Sequence, residues 1–396
     1  MSANLPAKPL TLMLVCGEPS GDQLGAELMQ GLRALAGGNV KITGVGGPAM
    51  AAQGLESLFP LDATAVMGLR EVVPRIPEIL RRVRATSDFA LRTRPDAVVC
   101  IDSPDFTHRI ARRVRRLDPR IRIVNYVAPQ VWASRSYRAR KMAGYFDLVL
   151  ALLPFEVPFF ETHGIHAKFV GHPVVERAPK MTGGKALRER LDIGERTPLL
   201  ALLPGSRTNE IHHLLPVFRG TVARLAQDIP GLVCVLPAVS HVAERVRAGS
   251  RDWPAPLHIV ESEPDKFAAF DAADVALAAS GTVTTELALA ATPMVVTYRV
   301  GWLTAALMWP LVNVEYATLV NLLLGREAVP ELLQSRCRAD LLAPCLLRLF
   351  RHPELREKQR LDLREAVHLL GIDDEAPSLR AARALLDFAR STEGGA

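Results

Sequence analysis

Short apolar runs rich in β-branched residues alternate along this chain with longer amphipathic segments. The apolar runs, which we predict to be strands, span residues 11–15, 41–45, 96–101, 121–127 and 147–153, and then 198–203, 232–236, 257–260, 274–279 and 294–298. Near-continuous apolar strands separated by helices are typical of parallel sheets covered on both faces. Because the series occurs twice, the pattern predicts an α/β protein with two doubly wound, Rossmann-like domains and C-terminal helices.

The length of 396 residues suits two domains of about 150–200 residues each. A stretch rich in Pro and Gly at 171–184 separates the two series of strands. We therefore predict one domain over residues 1–175, a second over 176–370, and a C-terminal helix over 371–396. Residues 341–390 show helical patterns only.

The composition, 49% hydrophobic and 23% charged, is that of a soluble globular protein and excludes disordered, collagen-like and coiled-coil classes. The five cysteines form no CxxC pair and no metal-ligand spacing. Their odd number, with several in apolar strands, predicts reduced thiols in a cytosolic protein rather than a disulfide framework.

The net charge of +6 is unevenly distributed, since residues 1–200 carry an excess of +9 and residues 201–396 a balance of −3. This asymmetry favours an anionic partner for the first half, such as a phosphate, a nucleic acid or an acidic membrane surface. The alternative is that the basic excess reflects a genome-wide bias toward arginine, because 40 of the 48 basic residues are arginine. No nucleic-acid recognition motif accompanies the basic patches, so we expect no nucleic-acid partner.

Ligands of doubly wound sheets bind beyond the carboxyl ends of the strands, which directs attention to four loops. In the second domain, Gly/Ser turns at 204–207 and 280–282 each lead into a helix, whose N-terminus can present unpaired N–H groups to a diphosphate. Arg207 adds a cation beside them. Each turn taken alone also fits a plain strand-to-helix connection.

In the first domain, the loop at 17–22 follows the first strand, and Asp102 and Asp105 follow the third. Pro104 fixes the turn between these two aspartates. A carboxylate there can act as a general base toward an incoming hydroxyl, or can simply cap the following helix. We predict Asp102 as the base and Asp105 as the cap.

Several other chemistries lack their motifs. The chain has no P-loop, DxD, HExxH or GxSxG sequence, and Pro48 argues against dinucleotide binding at the GxGxxA-like stretch 44–49. His163, His166 and His172 cluster without Cys or carboxylate support and are not expected to bind a metal.

An apolar segment at 300–314 is too short to span a bilayer and is interrupted by Pro310. Its tryptophans lie seven residues apart, on one face of a predicted helix. The segment fits a buried helix or an element lying in a membrane interface. The apolar residues in question are Trp302, Leu303, Leu307, Met308 and Trp309.

Taken together, the motifs of this chain resemble those of the lipid-A-disaccharide synthase family. The matching stretches follow the family order over almost the whole chain and include GEPSGDQLGAEL (17–28), GVGGPAM (44–50), IDSPDF (101–106), YVAPQVWASR (126–135), LLPGSRTNEI (202–211), ASGTVTTELALAATPMVVTYR (279–299) and VNLLLGREAVPELLQ (320–334). The resemblance implies the GT-B arrangement of two Rossmann-like domains. It also implies transfer of 2,3-diacylglucosamine from UDP to the 6-hydroxyl of 2,3-diacylglucosamine 1-phosphate (lipid X), with no metal or other cofactor. The product would be the β-1,6-linked disaccharide 1-phosphate, formed with inversion.

The resemblance also implies roles for particular residues. Asp102 matches the family's candidate base, and Glu18 matches an acidic residue of the cleft. Glu286 falls where GT-B enzymes place a carboxylate on the ribose, and Asn321 matches a position near the nucleotide. The implied phosphate site of UDP comprises Gly205, Ser206, Arg207, Ser280, Gly281 and Thr282.

Because both implied substrates are acylated, the resemblance implies peripheral association with the cytoplasmic face of the inner membrane, with the apolar segment at 300–314 in contact with lipid. It places the phosphorylated acceptor on the basic N-terminal domain and lets the C-terminal helix pack back on that domain, with a homodimer as a further expectation. Ser134 and Thr285 depart from the usual Trp and Leu of the family, which puts the acyl-chain preference in doubt. The alternative function is a non-catalytic, membrane-associated protein that binds a UDP-sugar.

Overall fold

A computed structural model describes residues 9–61, 76–134, 137–300 and 315–391 of the chain. These residues divide into two compact units. The first unit holds the described residues up to Pro173 and those from Asp373 onward, and the second runs from Val174 to Ile372. Each unit is built on its own parallel sheet covered by helices, which confirms the predicted fold class.

The described strands of the first unit are β1 (Leu10–Cys16), β2 (Val40–Val45), β3 (Ala97–Ile101), β4 (Ile123–Tyr126), β5 (Leu148–Ala151) and β6 (Ala167–Phe169). They lie in the order β2-β1-β3-β4-β5-β6, and all neighbours are parallel. The helices are α1 (Pro19–Ala36), α2 (Pro48–Ala52), α3 (Ile76–Thr93), α4 (Pro104–Leu117), α5 (Val131–Ser134), α6 (Tyr137–Met142) and α7 (Glu156–Glu161).

The second unit repeats this plan with β7 (Leu199–Leu203), β8 (Val233–Pro237), β9 (Leu257–Val260), β10 (Val275–Ala279), β11 (Met294–Tyr298) and β12 (Glu331–Leu333), in the order β12-β11-β10-β7-β8-β9. A 3₁₀ helix, Pro173–Lys180, precedes it, and another spans Gln334–Arg336. Its helices are α8 (Gly184–Arg190), α9 (Thr208–Asp228), α10 (Ser240–Gly249), α11 (Glu263–Ala272), α12 (Thr282–Leu289), α13 (Leu319–Leu324), α14 (Ala339–Arg351) and α15 (Pro353–Leu369).

The last described helix, α16 (Pro377–Arg390), packs against α1 in the first unit. Gly31 permits this close approach, because a Cβ at Gly31 would lie 2.8 Å from the carbonyl oxygen of Ser378. At the other end, the Arg122 guanidinium donates to the carbonyl oxygen of Phe388 and lies over its ring. The close approach at Gly31 and the contact of Arg122 with Phe388 thus attach α16 to the rest of the first unit.

The sheets bury apolar side chains on both faces, as the near-continuous apolar strands predict. Cys100 in β3 and Cys234 in β8 are fully buried among these side chains. Burial raises the pKa of both thiols to about 12, so they stay protonated and act as small apolar residues.

The strand order reverses at β1 and β3 in the first unit and at β7 and β10 in the second. In the ladders, Cys16 pairs with Ile101 and Leu203 pairs with Ala278, so the loops that follow these strands leave each sheet side by side. Such switch points are where parallel sheets hold ligands.

Asp22, in the first turn of α1, ties this helix to the N-terminus of α2. Its Oδ1 accepts the N–H groups of Gly47 at 2.7 Å and Met50 at 3.0 Å, and its Oδ2 accepts the N–H of Ala49 at 2.8 Å. The side chain is buried. A carboxylate suits this place because the first N–H groups of a helix lack partners within the helix and carry partial positive charge.

We expect Asp22→Ala to lower the free energy of unfolding of the first unit by about 2–4 kcal/mol, because several buried N–H groups would lose a charged acceptor. Urea denaturation followed by circular dichroism measures this change. Asp88→Ala is the control, since Asp88 forms an ion pair with Arg113 at the surface and should contribute less than about 1 kcal/mol. Equal destabilisation by both variants would contradict the assignment.

Glu156, at the start of α7, is buried and holds the ring of Trp132. Its Oε1 accepts the indole N–H of Trp132 at 3.0 Å, and its Oε2 accepts the N–H groups of Leu152 and Leu153, each at 3.1 Å. The Trp132 ring also packs edge-on against Phe155. Burial raises the pKa of the Glu156 carboxyl from 4.5 to about 7, although these hydrogen bonds act in the opposite direction.

This raised pKa predicts a pH-dependent contribution to stability. Between pH 4.5 and about 7, the native state keeps a proton on Glu156 that the unfolded chain has released, so this contribution is lost as the pH rises through that range. The loss should reach about 3 kcal/mol above pH 8. Glu156→Gln stays neutral, so the variant should gain about this much relative to wild type between pH 4 and pH 8 in urea denaturation. A difference that does not change with pH would refute the assignment.

Candidate active site

The loops after β1 and β3 bring the candidate acids of the first unit to one edge of the sheet. Glu18 precedes α1, Asp102 directly follows β3, and Asp105 lies in the first turn of α4. The prediction that Asp105 caps this helix is wrong, because the helix begins at Pro104 and its N-cap position is Ser103. The two loops are linked, because the Ser20 hydroxyl donates to Oδ2 of Asp102 at 3.0 Å. Asp102 is half-buried and Asp105 exposed. The predicted carboxylates therefore do form one group.

The backbone at Asp102 and Ser103 is strained, with φ values of +51° and +46°. This left-handed region is unfavourable for residues other than glycine, and such strain concentrates at functional sites. Surrounding contacts hold it in place: the Asp102 N–H donates to the Tyr126 carbonyl at 3.0 Å, and the Thr107 hydroxyl donates to the Asp102 carbonyl at 2.7 Å. The carboxylate of Asp102 is thus presented from a fixed backbone.

Glycines let the two loops approach closely. A Cβ at Gly17 would lie 2.9 Å from Cβ of Ser103, and a Cβ at Gly21 would lie 3.1 Å from the carbonyl oxygen of Ile101. Larger residues would push the first loop away from the end of β3. The glycines of the GEPSGD stretch therefore serve the contact with Asp102.

The electrostatics of this edge favour proton retention on Glu18. Partial burial, and then the negative charges of Asp102 and Asp105, raise the pKa of its carboxyl. Neighbouring carboxylates in different environments are a common source of separate acid and base roles.

A pocket of about 320 Å³ in the first unit opens beside these carboxylates. Its wall combines apolar and charged groups, which suits an amphipathic ligand. The lining residues are Gly17, Glu18, Ile76, Ile79, Leu80, Ser103, Pro104, Asp105, Phe106 and Arg109.

In the second unit, the loop after β7 is held by Glu210, which is not among the site residues predicted from the sequence. Its Oε2 accepts the N–H groups of Ser206 at 3.0 Å and Arg207 at 3.2 Å, and its Oε1 accepts from Nη1 of Arg207 at 3.1 Å. Gly205 is required here: its φ is +104°, and a Cβ would lie 2.3 Å from Oε2 of Glu210. The N–H groups of Ser206 and Arg207, which were expected to bind a phosphate, therefore donate to the Glu210 carboxylate instead.

Arg207 remains able to meet an anion, because its side chain is 69% exposed and the guanidinium has further donors beyond the one directed to Glu210. The second loop, after β10, places Ser280 and Gly281 before α12, and the Ser280 hydroxyl donates to the Ala317 carbonyl at 3.3 Å. The N-terminus of α12 supplies N–H groups and a positive dipole end for an anion.

Glu286, in α12, is 3% exposed and is paired with two cations. Its Oε1 lies 2.6 Å from Nη1 of Arg177 and its Oε2 lies 2.6 Å from Nζ of Lys266. Neither cation is among the site residues predicted from the sequence. No local pattern points to either, since the pairs join distant parts of the sequence.

These groups line a pocket of about 580 Å³ within the second unit, a volume typical of sites for small-molecule ligands. The candidate phosphate residues and the cations thus lie around one space. The lining includes Arg177, Gly205, Ser206, Arg207, Glu210, Lys266, Ser280, Gly281, Thr282 and Glu286.

Asn321, predicted near the nucleotide, is fully buried and hydrogen-bonded to protein groups. Its Nδ2 donates to the Val329 carbonyl and to Oε1 of Glu331, both at 2.8 Å, and its Oδ1 accepts the N–H groups of Ala328 and Val329. Glu331 also accepts from the N–H and hydroxyl of Thr318. Asn321 and Glu331 therefore hold the chain around Thr318 in place.

The residues predicted to contact lipid, Trp302, Leu303, Leu307, Met308 and Trp309, lie outside the described residues. In the part of the chain that the structure covers, no helix has the length and apolar character needed to cross a membrane. Within the same ranges, the His, Cys, Asp and Glu side chains form no group of three or more suited to a metal ion.

A model of the Lipid-A-disaccharide synthetase family matches residues 12–378 of this chain. The lipid-A-disaccharide synthase of Rhodospirillum centenum is 47% identical over 380 residues, which cover 96% of this chain and 95% of the relative. That of Rhodopseudomonas palustris (strain HaA2) is 45% identical, with 96% of each chain covered.

Solved structures support the fold alone. The UDP-GlcNAc 2-epimerase of Neisseria meningitidis gives a TM-score of 0.61 at 12% identity and covers 95% of this chain and 98% of its own. MurG of Acinetobacter baumannii gives 0.54 at 16% identity, covering 91% and 99%. Given the family match over nearly the whole chain, this protein belongs to the lipid-A-disaccharide synthase family, glycosyltransferases of lipid A biosynthesis.

Proposed function

We propose that the protein transfers 2,3-diacylglucosamine from UDP to the 6-hydroxyl of lipid X, releasing UDP and inverting the anomeric centre. The observation that carries this proposal is the carboxylate group around Asp102, presented from strained backbone at the switch point of the first sheet. An inverting displacement needs such a base for the acceptor hydroxyl. Because the chain belongs to this family, we expect these substrates.

In this proposal Asp102 takes the proton from the acceptor hydroxyl. The hydrogen bond from Ser20 orients its carboxylate, and the strained backbone keeps the carboxylate at the end of β3. Glu18, whose pKa is raised by burial and by its acidic neighbours, is suited to bind a hydroxyl or to pass a proton on. The exposed Asp105 lies in the first turn of α4, where the positive end of the helix dipole stabilises a negative charge.

The second unit binds UDP in the proposal. The diphosphate lies at the N-terminus of α12, beside Ser280, Gly281 and Thr282, and Arg207 neutralises the charge that develops as UDP leaves. Because Glu210 engages the N–H groups of Ser206 and Arg207, the first loop contributes the Arg207 guanidinium rather than its backbone.

The acylated substrates place the protein at the cytoplasmic face of the inner membrane. The pocket beside Glu18 supports the placement of an amphipathic acceptor in the first unit, since apolar side chains, carboxylates and Arg109 share its wall. Peripheral association then needs no spanning helix.

We expect Asp102→Asn to lower kcat for disaccharide formation by about 10²-fold or more, because the amide has the shape of the carboxylate but cannot accept the proton. The assay uses both acylated substrates in mixed micelles with EDTA present, since no step is assigned to a metal ion. Binding of UDP, measured by calorimetry, should be unchanged.

Asp105→Asn and Glu18→Gln serve as matched comparisons, because each makes the same carboxylate-to-amide change within the same group. Asp105→Asn should keep kcat within about threefold of wild type if Asp105 only interacts with the dipole of α4. A full loss in Asp105→Asn or Glu18→Gln, with turnover retained in Asp102→Asn, would remove Asp102 as the base while leaving the enzyme assignment intact.

Arg207→Met should raise the KM for the UDP-sugar and weaken UDP binding by about 10-fold or more, because a charged hydrogen-bond donor to the diphosphate is lost. Arg219→Met, which replaces an exposed arginine on the same helix as Glu210, is the control and should leave both values unchanged. Equal UDP affinity in Arg207→Met and wild type would refute the role of Arg207.

A further inference from the structure

We propose that Lys266 and Arg177 make the pocket of the second unit selective for a ribonucleotide: both are positioning residues that hold the Glu286 carboxylate where it accepts the ribose hydroxyls of UDP. The inference rests on the proposed function, because it adds residues to the UDP site of this unit. It keeps Glu286 at the ribose, as the family resemblance implies, and it assigns the two cations to the carboxylate rather than to the diphosphate.

The position of Glu286 on α12 suits the ribose. The helix begins at Thr282, where the proposed function places the diphosphate, and Glu286 follows four residues later, about 6 Å along the helix axis. In UDP the ribose is joined to the diphosphate through a single CH₂ group, so it is the part of the nucleotide that comes next. A carboxylate at this place repels phosphate oxygens and accepts hydrogen bonds from hydroxyl groups. The ribose is therefore the part of UDP that Glu286 can bind.

Both oxygens of the Glu286 carboxylate are held by cations from two other elements. Its Oε1 lies 2.6 Å from Nη1 of Arg177, in the 3₁₀ helix Pro173–Lys180, and its Oε2 lies 2.6 Å from Nζ of Lys266, in α11. An ionised carboxylate can accept about four hydrogen bonds. Each cation uses one acceptor site, so sites remain for the two ribose hydroxyls while the orientation of the carboxylate is fixed.

The burial of Glu286 makes this support necessary. Its side chain is 3% exposed, and a carboxylate removed from water needs charged partners. The ammonium of Lys266 lies 5.1 Å from the ring centroid of Phe267 and 5.7 Å from that of Phe270, so the aromatic rings restrict its position. Glu286 also belongs to the lining of the pocket, so a ligand in the pocket can reach it.

The charges of the pocket do not favour a general attraction of the diphosphate by these cations. The described lining contains three cations but four glutamates, including Glu261 and Glu263, so its wall has no positive excess. Glu263 lies three residues before Lys266 on α11, a spacing that allows an ion pair within the helix. The ion pair that the structure shows for Lys266 is instead with Glu286 on α12. The fold thus directs this ammonium to the carboxylate that lies beside the ribose in the proposal.

The test measures how strongly the full chain prefers UDP over 2′-deoxyuridine diphosphate, by titration calorimetry. Wild type should bind UDP about 10-fold or more tightly, because the 2′-hydroxyl donates to a charged acceptor. Lys266→Met and Arg177→Met should each lower this preference to about threefold or less, mainly by weakening the binding of UDP. Lys266→Arg keeps a cation beside Oε2 of Glu286 and should keep the preference.

The preference separates this inference from a direct contact between the cations and the diphosphate. If Lys266 and Arg177 bound the diphosphate themselves, each methionine variant would weaken the binding of both nucleotides by the same factor and keep the wild-type preference. That result would overturn the inference. A wild type that binds UDP and its 2′-deoxy analogue equally well would also overturn it, because Glu286 would then not use that hydroxyl.

A double variant tests whether Lys266 acts through Glu286. Glu286→Gln should itself lose the preference, because an NH₂ group replaces one of the acceptor oxygens. If Lys266 only positions this carboxylate, Lys266→Met combined with Glu286→Gln should bind UDP within about threefold of Glu286→Gln alone. Losses that multiply would show that Lys266 acts on the nucleotide independently of Glu286, against the inference.

Arg190→Met is the matched control. Arg190 lies in the second unit, forms an ion pair with Asp265, the residue before Lys266, and is absent from the described lining of the pocket. The substitution removes the same charge and should change the affinity for neither nucleotide. A loss of preference equal to that of Lys266→Met would show a general effect of charge and refute the inference.

Folding of each variant is checked by circular dichroism. Arg177→Met, which replaces a side chain that is 43% exposed, is the independent test if Lys266→Met does not fold. Failure of the proposed function is distinct: a folded wild type that binds neither nucleotide would refute the donor site as a whole, and this inference with it. A wild-type preference for UDP that both methionine variants retain would refute this inference alone.

Discussion

Carboxyl groups buried beside the strand ends are the constraint on which the loops of both units depend. A carboxylate removed from water must be surrounded by donors or cations, and the backbone that supplies them cannot move without leaving a charge unpaired. In the first unit this fixes the start of α2 and the loop after β5, and in the second it fixes the loops around the larger pocket. The buried residues are Asp22, Glu156, Glu286 and Glu331, and Glu210, whose side chain is 12% exposed, acts in the same way.

Apolar burial and these polar contacts specify different parts of the structure. The strands are set by side chains buried on both faces, which fix the order and register of each sheet but leave the loops at its edge undetermined. The loops take their shape from the buried carboxyl groups and from glycines. The strain at Asp102 persists for this reason: its own N–H and carbonyl are both bonded, and Gly21 admits the neighbouring loop.

The same division explains what could be predicted from the sequence. The ten apolar runs predicted the ten longer strands, because an apolar run is a local pattern. Strands β6 and β12 have three residues each and are too short to show such a pattern. The loops of the candidate site were found from their places after predicted strands. Glu210 had a local signal, since a glutamate three residues after the residue that caps a helix is typical of a capping box.

Other features of the site could not be read from local spacing. Arg177 lies 109 residues before Glu286, and only the folded second unit makes them partners. For Asn321, the family resemblance predicted a position near the nucleotide but could not show that both ends of its amide bind protein groups. Contacts between distant segments depend on the angle at which whole elements pack, which a single sequence does not display.

The pairing of each cation with a carboxylate has a consequence for the reaction. Arg207 is paired with Glu210, and Arg177 and Lys266 are paired with Glu286. Glu261 and Glu263 also belong to the lining, so the wall of the pocket holds positive groups at fixed positions without a net positive charge. Long-range attraction, which depends on net charge, therefore contributes little, whereas hydrogen bonds at fixed positions contribute much. In the proposed function, a site of this kind would favour a diphosphate that fits over other polyanions, and it would not retain UDP by long-range attraction after the bond to the sugar has broken.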